Sequence, residues 1–104
     1  LIMSSGVSLR YTSSMKVTAT AYTSGYGGVG TITATGTTVS VGSIAVDRSV
    51  IALGTDLLVS TSRGLYAGTA EDTGVRGKAV DLYMNSYEQC MSFGRRSGTV
   101  YLLA

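Results

Sequence analysis

Residues 16–23 read K-V-T-A-T-A-Y-T, and this stretch limits the possible folds most tightly. Val17, Ala19 and Ala21 alternate with Lys16, Thr18, Thr20 and Tyr22, the period of a strand with one buried face. The buried face is built from small residues. Alanine at two of three inward positions leaves little width to fill, which predicts a tight barrel interior rather than a broad sandwich. The remaining chain agrees. Among 104 residues there are 14 glycines and no proline, so glycine must make the turns. Hydrophobic residues make up 44% and charged residues 13%, a balance that a disordered segment does not have.

Further short strands are predicted at 37–41, 43–46, 56–61, 65–70 and 98–103, with Thr35 and Gly36 forming a turn before the first of these. Residues 85–94 predict one short helix. Ser86 with Gln89 is a capping-box pair, and Tyr87, Cys90 and Met91 recur at helical spacing as one apolar stripe. Gly94 ends the helix, and Arg95 and Arg96 sit at its negative end. The expected fold class is therefore all-β with one short helix, with six or seven strands closed into a barrel. Closure removes the sticky edges that Thr- and Val-rich strands would otherwise expose. Residues 1–15 lack a clean period and read as an N-terminal arm or linker, followed by one domain over 16–104. The chain begins with Leu1 rather than Met, and is expected to be a fragment of a longer protein.

Composition narrows the chemistry. There is no histidine, which removes His-based triads, the usual zinc sites and the commonest general base. The single cysteine, Cys90, permits no internal disulfide and reads as a small core residue. A net charge of +2 is too small to argue for nucleic acid. No apolar run reaches the length of a membrane span. The glycine-rich residues 24–30 lack the Lys-Ser/Thr and the following helix of a phosphate cradle, and read as a loop rimming a cleft.

What remains is carboxylate chemistry, concentrated in residues 70–83, A-E-D-T-G-V-R-G-K-A-V-D-L-Y. Half of the six acids lie here: Glu71, Asp72 and Asp81. Asp72 precedes Thr73 and Gly74, where the backbone can bend sharply; Asp81 is set between Val80 and Leu82. Asp47 closes the strand expected at 43–46, a common place for a cap and for a functional acid. Carboxylates gathered in one pocket cannot all ionise cheaply, and one retains its proton to higher pH.

Five ordered stretches then meet one pattern: A-T-A-Y-T at 19–23, T-A-T-G-T at 33–37, I-A-V-D-R-S-V-I-A-L-G-T at 44–55, A-E-D-T-G with V-D-L-Y, and F-G-R-R with V-Y-L-L. Together they resemble the three-aspartate (3D) domain, found in the catalytic barrel of membrane-bound lytic transglycosylases and in small stationary-phase-survival cell-wall enzymes. The resemblance implies a six-stranded double-psi β-barrel in which Asp47, Asp72 and Asp81 converge on one cleft. It implies that Asp81, in the V-D-L-Y position, is the catalytic acid. The turn D-T-G-V-R-G is shorter than the family's usual D-T-G-G-A-I-K-G, with Arg76 where a lysine would fall.

By that resemblance the substrate is the glycan strand of peptidoglycan. Asp81 would protonate the bond between N-acetylmuramic acid and N-acetylglucosamine, then act as base toward the muramyl C6 hydroxyl to close a 1,6-anhydro ring. Asp72 and Asp47 would keep Asp81 protonated. Tyr22, Thr23, Thr35, Gly36 and Thr37 are candidate sugar contacts; Arg76 and Lys78 are candidates for a peptide or lactyl carboxylate. No cofactor and no metal are expected, since no D-x-D-x-D-G calcium loop is present. The expected location is the bacterial cell envelope or exterior, or a phage particle; the oligomeric state stays open. A non-catalytic, expansin-like wall-binding barrel is the alternative. A dyad of the aspartic-protease kind is disfavoured, because the chain holds one D-T-G where that dyad takes two.

Overall fold

The computed structural model describes residues 10–24 and 31–104. Six strands, β1 (Tyr11–Tyr22), β2 (Ser43–Val46), β3 (Asp56–Thr61), β4 (Gly64–Asp72), β5 (Ala79–Tyr83) and β6 (Arg96–Leu103), close into a barrel; one helix, α1 (Tyr87–Phe93), precedes the last strand. The order around the barrel is β1-β5-β2-β4-β3-β6. β1 pairs with β5 in parallel and β2 with β4 in parallel, while the other contacts are antiparallel. In sequence β1 is followed by β2, yet β5 lies between them; β4 is followed by β5, yet β2 lies between them. The expected closed, six-stranded, nearly all-β barrel is what the chain forms.

The alternation of β1 does the predicted work. Val17 and Ala19 point inward with Val80 and Leu82 of β5, Ile44 and Val46 of β2, and Val59 and Val100 opposite. Register keeps these faces aligned: Ala19 lies opposite Val80, Ile44 opposite Leu82, and Val46 opposite Val80. Phe93 of α1 is 2% exposed and plugs one mouth. Its ring meets Tyr66 edge-on at 5.5 Å, and the Arg96 guanidinium lies 5.1 Å from its centroid.

Gly68 lets the barrel close on one side. A side chain there would run into the Gly42 carbonyl, which instead accepts the Thr69 amide at 2.8 Å.

Several sequence expectations need correction. β1 begins at Tyr11, so the end of the presumed arm is strand paired with β6; the arm's first nine residues lie outside the described residues, as do residues 25–30 of the glycine-rich loop. Residues 37–41 are not a strand. Only an Ile32–Thr38 bridge forms, because the segment folds over its own turn instead of joining the sheet. The apolar stripe of the helix also falls differently. Tyr87 and Met91 are 46% and 63% exposed, Cys90 is half-buried, and Phe93 carries the burial. A two-turn helix lying across a barrel mouth needs one large plug, and Phe93 fills that place. Half of its capping box forms as expected, the Ser86 hydroxyl accepting the Gln89 amide at 3.2 Å, while the Gln89 side chain accepts the amide of Asn85, at 3.1 Å, rather than that of Ser86.

Candidate functional site

The acids assemble on the outer wall of the barrel, and strand register explains how. On β5, Val80 and Leu82 face inward, so Asp81 faces out. Its neighbours in the row are Thr20 of β1 on one side and Ala45 of β2 on the other. Ala45 in turn lies opposite Asp72 of β4. A single row therefore runs Thr20–Asp81–Ala45–Asp72 across four strands.

Asp72 reaches this row only through a bulge. Ile44 pairs with Ala70, but the next residue of β2, Ala45, pairs with Asp72, which makes Glu71 an extra residue in β4. Ala70 is fully buried in the core. Regular alternation would send Asp72, two residues later, to that same inward face. The bulge returns it to the outside. Ala45 between the two acids is small and is itself only 3% exposed.

Each acid then has a distinct environment. Asp81 is half-buried and accepts the Thr20 hydroxyl at 3.0 Å. Burial, against the pull of that hydrogen bond and with the help of the Asp72 charge, pushes its carboxyl above the ordinary value. Two strand spacings separate Asp81 from Asp72, about 10 Å between backbones. Asp72 thus acts on Asp81 through space rather than by sharing its proton. Asp72 accepts amides from Ala34 at 3.1 Å and Thr73 at 2.9 Å. Glu71 turns aside to accept the Ser43 hydroxyl at 2.8 Å.

Asp47 has a different task. Its Oδ1 accepts the Ser49 amide and hydroxyl at 2.9 and 2.6 Å, and its Oδ2 accepts the Gly77 amide at 2.8 Å. The Ser49 hydroxyl, then the Gly77 and Ser49 amides, lower its pKa to about 2. Asp47 is a fixed anion tying the end of β2 to the turn that leads into β5. The neighbouring charge that acts on Asp81 is that of Asp72, not Asp47.

Tyr22 completes the group. It lies two residues beyond Thr20 on the same face, and its phenol is surrounded by acids. Burial, then the charges of Asp72, Asp81 and Glu71, hold the hydroxyl protonated far into alkaline pH. That hydroxyl is fully buried and, among the described residues, has no hydrogen-bond partner. The ring meets Tyr83 edge-on at 5.4 Å. The Ser24 hydroxyl lies 3.2 Å from the Tyr83 hydroxyl and, followed by Thr23, draws the Tyr83 phenol below its ordinary value.

The other sequence candidates are spread around this row. Thr23 is buried and engaged with Tyr83. Thr35, Gly36 and Thr37 form an exposed turn docked on the end of β4, where the Thr35 amide donates to the Glu71 carbonyl at 3.1 Å. Gly36 takes φ +85° there. The Thr35 and Thr37 hydroxyls close a triangle with buried Thr33, at 2.7–3.3 Å. Arg76 and Lys78 lie exposed on the β4–β5 turn; Arg76 is close enough to Asp47 to help lower its pKa. Sequence reasoning missed Thr20, Ala45 and the Ala34 amide. The signal for Thr20 was its place on the polar face of β1 beside Tyr22; none existed for the other two. Among the described residues no group of three or more acids and thiols is spaced to hold a metal ion.

The chain is thus a closed, six-stranded β-barrel with two parallel strand pairs and a row of carboxylates set into its wall. Residues 42–104 match the 3D domain, and the chain belongs to that family. The cell wall-binding protein YocH of Bacillus subtilis (strain 168) is 36% identical over 95 residues, which covers 86% of this chain and 32% of that protein. The lytic transglycosylase MltA of Escherichia coli shares the fold at a TM-score of 0.61 and 26% identity, over 70% of this chain and 27% of that one. A structure of MltA with bound chitohexaose aligns equally well, with a TM-score of 0.61 at 23% identity. The chain thus spans about a third of the curated relative and about a quarter of MltA.

Proposed function

We propose that this domain acts at the bacterial cell envelope on the glycan strands of peptidoglycan, as a lytic transglycosylase with Asp81 as its single acid and base. The observation that carries this reading is the state of Asp81: an outward carboxyl, half-buried and held above its ordinary pKa, in a row with Asp72 over the small Ala45. A proton kept to higher pH is what cleavage of a glycosidic bond requires.

Asp81 gives its proton to the oxygen between N-acetylmuramic acid and N-acetylglucosamine, and that C–O bond breaks with the electron pair leaving on the oxygen. Positive charge develops at the muramyl C1, and the Asp72 carboxylate, fixed by the Ala34 and Thr73 amides, lies on the same face to stabilise it. Asp81, now ionised, takes the proton of the muramyl C6 hydroxyl, whose oxygen bonds to C1. The 1,6-anhydro ring forms without water, and Asp81 ends protonated again. Asp47 holds the turn before β5 in place rather than exchanging protons.

Digestion of purified peptidoglycan, with products read by mass spectrometry, tests this. Anhydromuropeptides are expected from the wild type and none from Asp81→Asn. Reducing ends would mean a hydrolase. The resemblance to a protein named for binding the cell wall favours a second reading, a barrel that holds the glycan without cutting it. Wild-type protein that sediments with the wall and releases nothing would establish that reading.

A further inference from the structure

A hollow lies next to the acidic row and differs from it in charge. The cleft, about 430 Å³, is roofed by α1 and walled by the β3–β4 turn. Arg63, Tyr66, Tyr83, Asn85, Gln89 and Ser92 contribute to its lining, and no acid does. A smaller hollow of about 200 Å³ continues it past Tyr66 and Tyr83, along exposed Val41 and Leu65. The two hollows together have the size of a site for a small organic ligand.

We infer that this cleft binds a short peptide through its carboxylate: the stem peptide carried by the glycan that the acidic row engages. The inference rests on the wall-glycan reading only for the origin of the peptide. Three features support the assignment. First, Arg63 supplies the charge. Its guanidinium donates to the neutral Ser92 hydroxyl at 2.9 Å, which steers the side chain over the cleft without neutralising it. A guanidinium held this way matches a carboxylate with paired N–H groups. Second, the helix cap orients an amide. Because the Gln89 side-chain oxygen accepts the Asn85 amide at 3.1 Å, its NH₂ remains to donate to a peptide carbonyl. The faces of Tyr66 and Tyr83 offer apolar ledges for small side chains. Third, the cleft is contiguous with the row. Tyr83 lines the cleft, packs against Tyr22 and follows Asp81 by two residues, about 7 Å along β5. A sugar over Asp81 and its peptide substituent in the cleft are therefore within the span of one repeating unit.

The test is a titration of ¹⁵N-labelled protein with the free tripeptide Ala-γ-Glu-Lys, followed by amide shifts. Shifts are expected at Tyr83, Asn85 and Gln89. Arg63→Ala should weaken binding about tenfold, as loss of a charge-assisted hydrogen bond does. Arg63→Lys should fall between, and Lys16→Ala, an exposed cation outside the cleft, should match the wild type. Arg63 is exposed and its removal breaks one surface hydrogen bond, so the variant keeps its fold, which its spectrum reports directly. Absence of shifts in the wild type, shifts confined to other residues, or equal affinity in Arg63→Ala would each overturn the inference. Sedimentation with peptide-stripped glycan separates the two readings. Tripeptide binding without glycan binding keeps the cleft and removes the glycan reading; the reverse result keeps the glycan reading and removes the cleft.

Discussion

Asp81 is uncomfortable as an anion because its strand takes it partly out of water and Asp72 faces it across Ala45. The folded protein therefore binds that proton more tightly than the unfolded chain does. Stability falls as pH rises from the ordinary value of 3.8 through the raised folded value. Asp81→Asn removes this penalty. At neutral pH the variant should melt higher than the wild type, and the gap should close in acid, where both side chains are neutral. Turnover should decline with rising pH through the same range, because the acid form does the work. Tyr22 makes a parallel case. Its buried hydroxyl lacks a partner among the described residues, which costs stability. Tyr22→Phe should raise stability by about 1 kcal/mol in chemical denaturation. Cys90 offers no nucleophile. Burial, then the charge of Asp81, pushes its thiol up.

At the scale of strands and turns, two devices hold the row. The Glu71 bulge sets which face Asp72 occupies, and the Asp47 cap sets where the β4–β5 turn lies before β5 begins. Asp47→Ala should lower the melting temperature at neutral pH while Asp81 keeps its partner Thr20. The sign follows from its lowered pKa. The stabilisation is complete above the ordinary value of 3.8 and is lost as pH falls through about 2, so wild type and variant should converge in strong acid. Gly68 is a firmer constraint. A methyl group there meets the Gly42 carbonyl, which is backbone and cannot rotate away. Gly68→Ala should cost about 1–3 kcal/mol in urea unfolding, through the strain of overpacking and the loss of the Thr69–Gly42 hydrogen bond.

For the whole molecule, closure makes the barrel cooperative. Every strand has two neighbours, and β1 is joined both to β5 and to β6 near the far end of the chain. Unfolding followed by tyrosine fluorescence and by far-UV circular dichroism should give coincident transitions, with refolding in the millisecond-to-second range expected of long-range pairing. Much of this architecture was legible in the sequence. The alternation at 16–23, the strands at 43–46 and 56–61, and the Ser86–Gln89 cap depend on local period and local hydrogen bonds, which neighbouring residues alone decide. The acids were legible as a cluster for the same reason, since composition left little else to carry chemistry. The separate roles of Asp47 and Asp72 were not, nor was the burial of Phe93 in place of Tyr87 and Met91. Period-two reasoning even sends Asp72 inward. One inserted residue in β4, visible only against the partner strand β2, reverses that. Side-chain period is a property of a single strand and can be read along it. Register and bulges are properties of a pair, so which acid faces which was decided only when the barrel closed.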